Sequence, residues 1–280
     1  MSSTPTSMST GHVTAGERTE RDWRDPLARF GLAGKGVLHL VIGYAIWRLA
    51  TGSGSGSEAS STGAVRWIAD QPYGTAVLWV LAASLAALAI WRAVETVAGD
   101  PVAEDGPLER VGFAAKAVVY AGLAFVCAST ALSGSSGSSS SSGGGDDGTQ
   151  QATDSVFELP MGRWLVFLIG VGIMALAVHL AMVHALDGRF IKRLRVGEQS
   201  AAARVGRLGY GLRSVAYLFV GFFFAQAGLS YDPEQAEGLS GSLRRVAEES
   251  WGTLVLYACA AGFIAYGVYC FFESRLRRDA

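Results

Sequence analysis

The sequence is poor in charge, has no asparagine and has only three cysteines, and each shortage excludes a class of protein. Charged side chains make up 17% of its 280 residues, whereas soluble domains carry roughly a quarter. The net charge of −1 argues against a nucleic-acid partner, which requires a broad basic surface. The lack of asparagine removes every N-glycosylation acceptor. We therefore expect a chain that lies largely in lipid and binds no nucleic acid.

The sequence also lacks the motifs that carry common chemistry. Phosphate-binding G-x-x-x-x-G-K-[ST], zinc-binding H-E-x-x-H and nucleophile-bearing G-x-S-x-G are all absent. His179 and His184 are five residues apart, so they do not share a helix face as zinc ligands would. Cys127, Cys259 and Cys270 lie in apolar runs, which favours buried apolar roles. We expect no enzymatic activity, no cofactor and no metal site.

What the chain does have is six long apolar stretches. A bilayer core of about 30 Å requires roughly 20 helical residues, and each stretch is of that length. The stretches cover about residues 30–50, 73–97, 111–132, 164–186, 208–229 and 251–272. The sequence therefore predicts six transmembrane helices. Between them, residues 51–63 and 133–149 are rich in Gly and Ser, and we expect flexible linkers there.

The distribution of Lys and Arg predicts the orientation. One side of the membrane holds 18 of the 23 basic residues, and the positive-inside rule makes this side cytoplasmic. Both termini lie on that side, so we expect a bacterial plasma-membrane protein with a disordered cytoplasmic tail at residues 1–28. The most basic stretch either binds anionic lipid or only sets the topology. Its basic residues are Arg189, Lys192, Arg193 and Arg195.

The first, third and fifth apolar stretches begin alike, which indicates an internal repeat. Counted from Arg29, Arg110 and Arg207, a glycine follows at position 2, a basic residue at position 6 and a polar ring at position 10. Four-residue steps place these residues on one helix face. The basic residues are Lys35, Lys116 and Arg213, and the ring-bearing residues are His39, Tyr120 and Tyr217.

The second, fourth and sixth stretches match more weakly, each from a glycine near its start. Counted from Gly74, Gly162 and Gly252, positions 17 and 21 correspond among the three. Position 17 holds Trp91, His179 or Tyr269, and position 21 holds Glu95, Val183 or Glu273. Because each two-helix unit crosses the membrane twice, all copies enter in the same direction and a pseudo-threefold axis along the membrane normal relates them. The predicted fold is an all-α integral membrane bundle of six transmembrane helices built from three parallel two-helix repeats, residues 29–98, 110–186 and 207–277.

The basic residues of the repeat lie inside the membrane, where a charge needs a partner or must reach the interface. By depth, Lys35 can pair with Glu95, and Arg213 with Glu273. The middle repeat has Val183 in place of the acid, so Lys116 must either extend its side chain to the interface or find another partner. Such charges are either structural or part of a functional site.

The three ring-bearing residues lie about 15 Å into the membrane. They either pack against small residues of neighbouring helices or line a central pathway. We treat the basic, acidic and ring-bearing residues of the repeat as candidate site residues, together with His179. They are Lys35, Lys116, Arg213, Glu95, Glu273, His39, Tyr120 and Tyr217.

The thrice-repeated R-x-G-x-x-x-[KR]-x-x-x-[HY] start resembles the domain-of-unknown-function 1206 family of bacterial, mainly actinobacterial, membrane proteins. The resemblance runs from about Arg29 to Arg277. It implies three two-helix modules and carries no established activity.

Two functions remain open. No proline interrupts the spans and no carboxylate lies at the midplane, which favours a non-catalytic scaffold or accessory protein that contacts lipid and acts with a second copy or another membrane protein. Three parallel repeats with intramembrane basic and ring residues instead favour a small channel or transporter, with a central pathway between the repeats.

Overall fold

The structure is a computed structural model that describes residues 15–98, 107–133, 153, 155–158, 161–230, 232 and 235–277. Eight α-helices lie in this part of the chain. They are α1 (Ala15–Ala50), α2 (Ser61–Ala69), α3 (Gly74–Ala98), α4 (Pro107–Ser133), α5 (Gly162–Leu180), α6 (Ala201–Ser230), α7 (Leu239–Glu248) and α8 (Gly252–Leu276). After α5 come a π-helical turn, Ala181–Leu186, and a 3-10 helix, Arg189–Arg193.

Six helices are long and apolar enough to cross a membrane, which confirms the predicted fold class. Their apolar spans are Pro26–Ala50, Gly74–Ala98, Arg110–Ser133, Gly162–Leu186, Ala201–Ser230 and Gly252–Leu276. The short helices α2 and α7 connect the two long helices of the first and third repeats, at the end of the bundle that we call the loop end. The opposite end, where α1 enters and α8 leaves the bundle, is called the basic end.

The six long helices form an open ring. Its order is α4, α3, α1, α8, α6, α5, and each helix packs extensively on the next one in this order. The second helix of every repeat packs on the first helix of another repeat, including α8 of the third repeat on α1 of the first. This cyclic contact pattern is the one that a rotational relationship between the repeats would produce. In the described part of the chain, α4 and α5 form no comparable interface, so the middle repeat is open.

One glycine per repeat fixes the start of the second helix. At Gly74, Gly162 and Gly252, an added Cβ would collide with the backbone carbonyl of the residue six positions earlier. That carbonyl belongs to Ile68, Val156 or Val246. The chain folds back on itself so tightly there that no side chain fits. The shared glycine of the sequence repeat therefore has the same steric cause in all three copies.

Two expectations of disorder were wrong. The predicted linker 51–63 is ordered, because the side chain of Ala59 is buried and Ser60 caps α2 by accepting a 3.1 Å hydrogen bond from the Gly63 amide. The predicted disordered tail 1–28 is helical from Ala15. Glutamates followed by arginines four residues later, as at Glu17 and Arg21, favour helix in that segment. Residues 1–14 and 134–149, where disorder was also predicted, lie outside the described residues.

Candidate functional site

Four polar side chains from the first and third repeats meet inside the ring and form what we call the axial cluster: Lys35, His39, Arg213 and Tyr266. The Lys35 ammonium donates a 2.7 Å hydrogen bond to the Tyr266 hydroxyl. The Arg213 guanidinium carbon lies 3.7 Å from the centroid of the Tyr266 ring, whose face attracts cations. Tyr266 therefore holds both cations, one through its hydroxyl and one through its ring.

His39 connects the two cations. Its Nδ1 lies 2.8 Å from the backbone carbonyl of Lys35, which only accepts, so Nδ1 carries the hydrogen and donates it. Its Nε2 lies 3.3 Å from a guanidinium nitrogen of Arg213, which only donates, so Nε2 accepts. Together the two contacts specify a neutral imidazole. His39 therefore adds no third positive charge.

The other two ring-bearing residues of the repeat lie beside the same cations. The Lys35 ammonium is 5.8 Å from the centroid of the Tyr120 ring, and the Arg213 guanidinium carbon is 5.4 Å from that of Tyr217. All three repeats therefore contribute a ring to one region of the structure. Among the described residues, no carboxylate lies within 4.0 Å of the Lys35 or Arg213 nitrogens. The axial cluster thus carries two positive charges and no directly paired acid.

A second group, the salt-bridge cluster, lies at the basic end and consists of Arg92, Glu95, Glu273 and Arg277. Arg92 donates a 2.6 Å hydrogen bond to Glu95, and Arg277 approaches the other oxygen of Glu95 at 3.4 Å. Arg277 also lies 3.9 Å from Glu273. All four residues are at most 9% exposed. Two acids balance two bases, which reduces the cost of burying the charges.

Trp91 is packed between the two arginines of this cluster. The guanidinium carbons of Arg92 and Arg277 lie 4.2 and 4.1 Å from the centroid of its indole. A guanidinium stacks well on an aromatic face. Trp91, on α3, therefore helps to hold Arg277, which directly follows α8, against α3.

The ion pairs predicted between Lys35 and Glu95 and between Arg213 and Glu273 do not form. Glu95 accepts instead from Arg92, one turn earlier on the same helix, where spacing alone brings opposite charges together. Lys35 and Arg213 are both held within the axial cluster. The predicted acids and bases are therefore divided between two clusters rather than paired with each other.

The sequence pattern contained a signal for the salt-bridge cluster that was missed. Arg92 precedes Glu95 by three residues, and Glu273 precedes Arg277 by four. Both spacings place opposite charges on one helix face. Arg92 and Arg277 belonged in the predicted set for that reason.

In the described part of the middle repeat, no lysine, arginine or histidine side chain joins the axial cluster. Lys116 stands at the repeat position of Lys35 and Arg213, but its side chain is exposed, with its ammonium 5.6 Å from the centroid of Phe113 on its own helix. His179 is exposed on α5. Functional roles for these two residues stay predictions.

The basic stretch packs under the ring through its apolar residues. Phe190, Ile191 and Leu194 are buried in a cluster with aromatic side chains of α8. Arg189 and Arg195 are exposed, while the side chains of Lys192 and Arg193 lie outside the described residues. Binding of anionic lipid by this stretch stays a prediction.

Toward the loop end, the centre of the ring is filled with apolar side chains that together we call the apolar plug. The plug consists of Ile42, Ile46, Cys127, Ala216 and Phe263. They come from α1, α4, α6 and α8, and each is at most 1% exposed. A close-packed apolar segment offers no continuous path for water or ions. The plug lies next to the axial cluster, because the ring centroids of Phe263 and His39 are 5.9 Å apart.

Comparison with known proteins gives the same threefold division. The profile of a family described as Domain of Unknown Function (DUF1206) matches residues 30–99, 111–184 and 208–277. A Bacillus subtilis (strain 168) protein named "Uncharacterized protein YxxB" is 25% identical over 259 residues, which cover 89% of this chain and 90% of that protein. No solved structure matches the chain. Each profile match covers one pair of long helices.

Proposed function

Because this chain belongs to the family described as Domain of Unknown Function (DUF1206), whose description assigns no activity, we propose a function from its geometry: a non-catalytic membrane scaffold or accessory protein. The observation that carries the proposal is the apolar plug, which fills the centre of the ring with buried side chains from all three repeats. A packed centre suits a protein that acts through its outer surface. In this proposal it requires no cofactor, and its partner is a second copy or another membrane protein.

The proposed setting is the plasma membrane of a bacterium. The basic end carries the exposed Arg189 and Arg195 and the majority of the basic residues, so the positive-inside rule supports a cytoplasmic location for it and for both termini. The same proposal includes an actinobacterial source, which the family resemblance supports.

A second candidate is a small channel or transporter. The axial cluster favours it, because two cations without a directly paired acid are suited to attract an anion moving along the ring centre. For this function the apolar plug must open. The two candidates therefore differ in whether the plug is permanent.

Ion flux distinguishes the two candidates. We expect liposomes containing the full chain to release entrapped chloride, phosphate or potassium no faster than empty liposomes. Phe263→Ala removes the largest side chain of the plug, and Phe222→Ala, at an exposed apolar residue of α6, is the matched control. Flux through the unaltered protein, or flux induced by Phe263→Ala and not by Phe222→Ala, would favour the channel and contradict the scaffold.

A scaffold must also make a defined protein contact. A photo-crosslinker at Leu168, which is 62% exposed on α5, is expected to give a product of one discrete mass in native membranes. The same probe at Val166, 1% exposed on the same helix, is expected to give none. Lipid adducts alone at Leu168 and at a second exposed position, Leu254 of α8, would count against a protein partner.

A further inference from the structure

The opening between α4 and α5 is the one interface that the repeat predicts and the described structure does not form. In the other two repeats, a glycine near the start of the first helix packs closely against the backbone and Cβ of a residue on the second helix. These contacts are Gly31 with Leu88 and Gly209 with Tyr266. The corresponding middle residues are Gly112 and Leu176. A Cβ added at Gly112 meets no atom of the described residues within 4 Å, and Leu176 is 56% exposed.

A second pair of positions shows the same difference. Five positions after the repeat arginine, Gly34 contacts Ser84, and Leu212 contacts Gly262. The corresponding middle residues are Ala115, which is exposed, and Gly172, where an added Cβ also meets no atom of the described part of the chain within 4 Å. At both positions, the faces of α4 and α5 that border the opening therefore carry apolar and mostly small residues.

Positive charge lies at the same opening. Lys116 follows Gly112 by four residues, so both are on one face of α4, and its side chain is exposed. Lys35, further inside the ring, keeps a partly exposed side chain and lies against Tyr120 of α4. Within the described chain, its ammonium makes one hydrogen bond, to Tyr266, and Arg213 makes one, to His39. Both cations therefore retain N–H donors for an anionic oxygen.

Apolar walls and cations side by side select one kind of molecule. A free anion gains nothing from the apolar walls, and a neutral lipid leaves the cations without a counter-charge. An anionic phospholipid satisfies both, because its acyl chains match the walls and its phosphate accepts charge-assisted hydrogen bonds from guanidinium and ammonium groups.

We propose that the opening between α4 and α5 binds an anionic phospholipid, with its acyl chains along the two helices and its phosphate directed toward Lys35, Lys116 and Arg213. This site is distinct from the basic stretch, which lies outside the ring at its basic end. It goes beyond a scaffold role and does not depend on it, since either candidate function is compatible with a bound lipid.

Lipid titration of the full chain in detergent tests the site. We expect phosphatidic acid to raise the thermal unfolding midpoint and to remain bound in native mass spectra, while phosphatidylcholine and inorganic phosphate do neither. Lys35→Gln or Arg213→Gln should weaken apparent phosphatidic acid affinity about tenfold, which corresponds to about 1.4 kcal/mol. Arg66→Gln, at an exposed cation of α2 at the loop end, should change the affinity less than about twofold, while Arg189→Gln measures any separate lipid binding by the basic stretch.

The variants Lys35→Gln and Arg213→Gln could fail to fold. A glycine variant then tests the lipid site without changing either cation. Gly172→Leu adds bulk where the structure has room, so the protein should fold while the acyl chains are displaced and affinity falls about tenfold. Val118→Leu, at an exposed residue on another face of α4, is the matched control. Equal stabilisation by inorganic phosphate or phosphatidylcholine, or lipid binding that only Arg189→Gln weakens, would overturn the proposal.

Discussion

The first and third repeats are closed helix pairs, whereas the middle repeat is open, although all three follow the same sequence pattern. In the closed pairs, glycine contacts at matching positions bring the two helices together. In the middle repeat, Gly112 and Gly172 have the same place in the pattern, but no described residue lies within reach of a Cβ added there. Small residues therefore allow close packing without being sufficient to produce it.

The closed repeats share a connection that the middle repeat lacks. Glu95 and Glu273 occupy the same repeat position, and Arg277 lies within ion-pair distance of both. This arginine therefore joins α3 to α8 at the basic end. The middle repeat has Val183 at that position, within the π-helical turn, and an apolar side chain cannot join this network.

The π-helical turn that follows α5 contacts α6 and the basic stretch instead of the salt-bridge cluster. His184 packs against Tyr210 of α6, with ring centroids 4.5 Å apart, and lies parallel to Phe190 at 6.5 Å. These aromatic contacts attach the end of the fourth span to the third repeat. At the basic end, ionic contacts therefore join the two closed repeats to each other, whereas aromatic contacts attach the middle repeat to the third.

The largest expected effect is the loss of the acid that joins the closed repeats. Glu95→Gln should lower the free energy of unfolding by about 3 kcal/mol, because it removes the carboxylate that buried Arg92 and Arg277 share. The measurement is denaturant unfolding in detergent. Val183→Gln, at the same position of the open repeat, should change stability by less than about 0.5 kcal/mol. Similar losses at both positions would mean that the ionic connection does not distinguish the repeats.

A pair of glycine variants gives the next largest effect. An alanine Cβ at Gly262 would lie 2.6 Å from the backbone nitrogen of Arg213, so Gly262→Ala should destabilise the protein by about 1–3 kcal/mol. Gly172→Ala enters open space and should leave stability unchanged or raise it, because alanine favours helix by about 1 kcal/mol. Thermal midpoints of the two variants provide the comparison. Equal destabilisation would indicate that the middle repeat is packed like the third.

The smallest expected effect is a missing crosslink. A disulfide requires Cα atoms about 4.4–6.8 Å apart, and the open middle repeat does not bring Ala115 and Gly172 together. The double variant Ala115→Cys, Gly172→Cys should therefore remain reduced under mild oxidation, as read by the mobility of a non-reducing gel. Single-cysteine variants control for reaction with the native cysteines. A rapid, complete crosslink in the double variant alone would show that the middle repeat closes.

Much of the fold was predictable from the chain because it depends on local properties. The length of each apolar stretch must match the bilayer core, and that alone indicates six spans. The positions of Lys35, Arg213, His39, Tyr120 and Tyr217 follow from helical spacing within each repeat. Their grouping near one axis follows from the rotational relationship between parallel repeats. These features need no knowledge of how closely two helices approach.

The role of Tyr266 in the axial cluster could not be predicted from the sequence. Its counterparts in the other repeats are Leu88 and Leu176, so the repeat pattern marks that position as apolar. Only the packed structure shows that its hydroxyl and ring hold Lys35 and Arg213.

The amino-acid sequence thus determined the number of spans, the common direction of the three repeats and the face on which each polar residue lies, because bilayer thickness and helix periodicity act along a single segment. The tertiary structure alone decided that Glu95 contacts Arg277 rather than Lys35, and that the middle repeat stays open. Both depend on distances between helices, and those distances result from contacts among residues far apart in the chain.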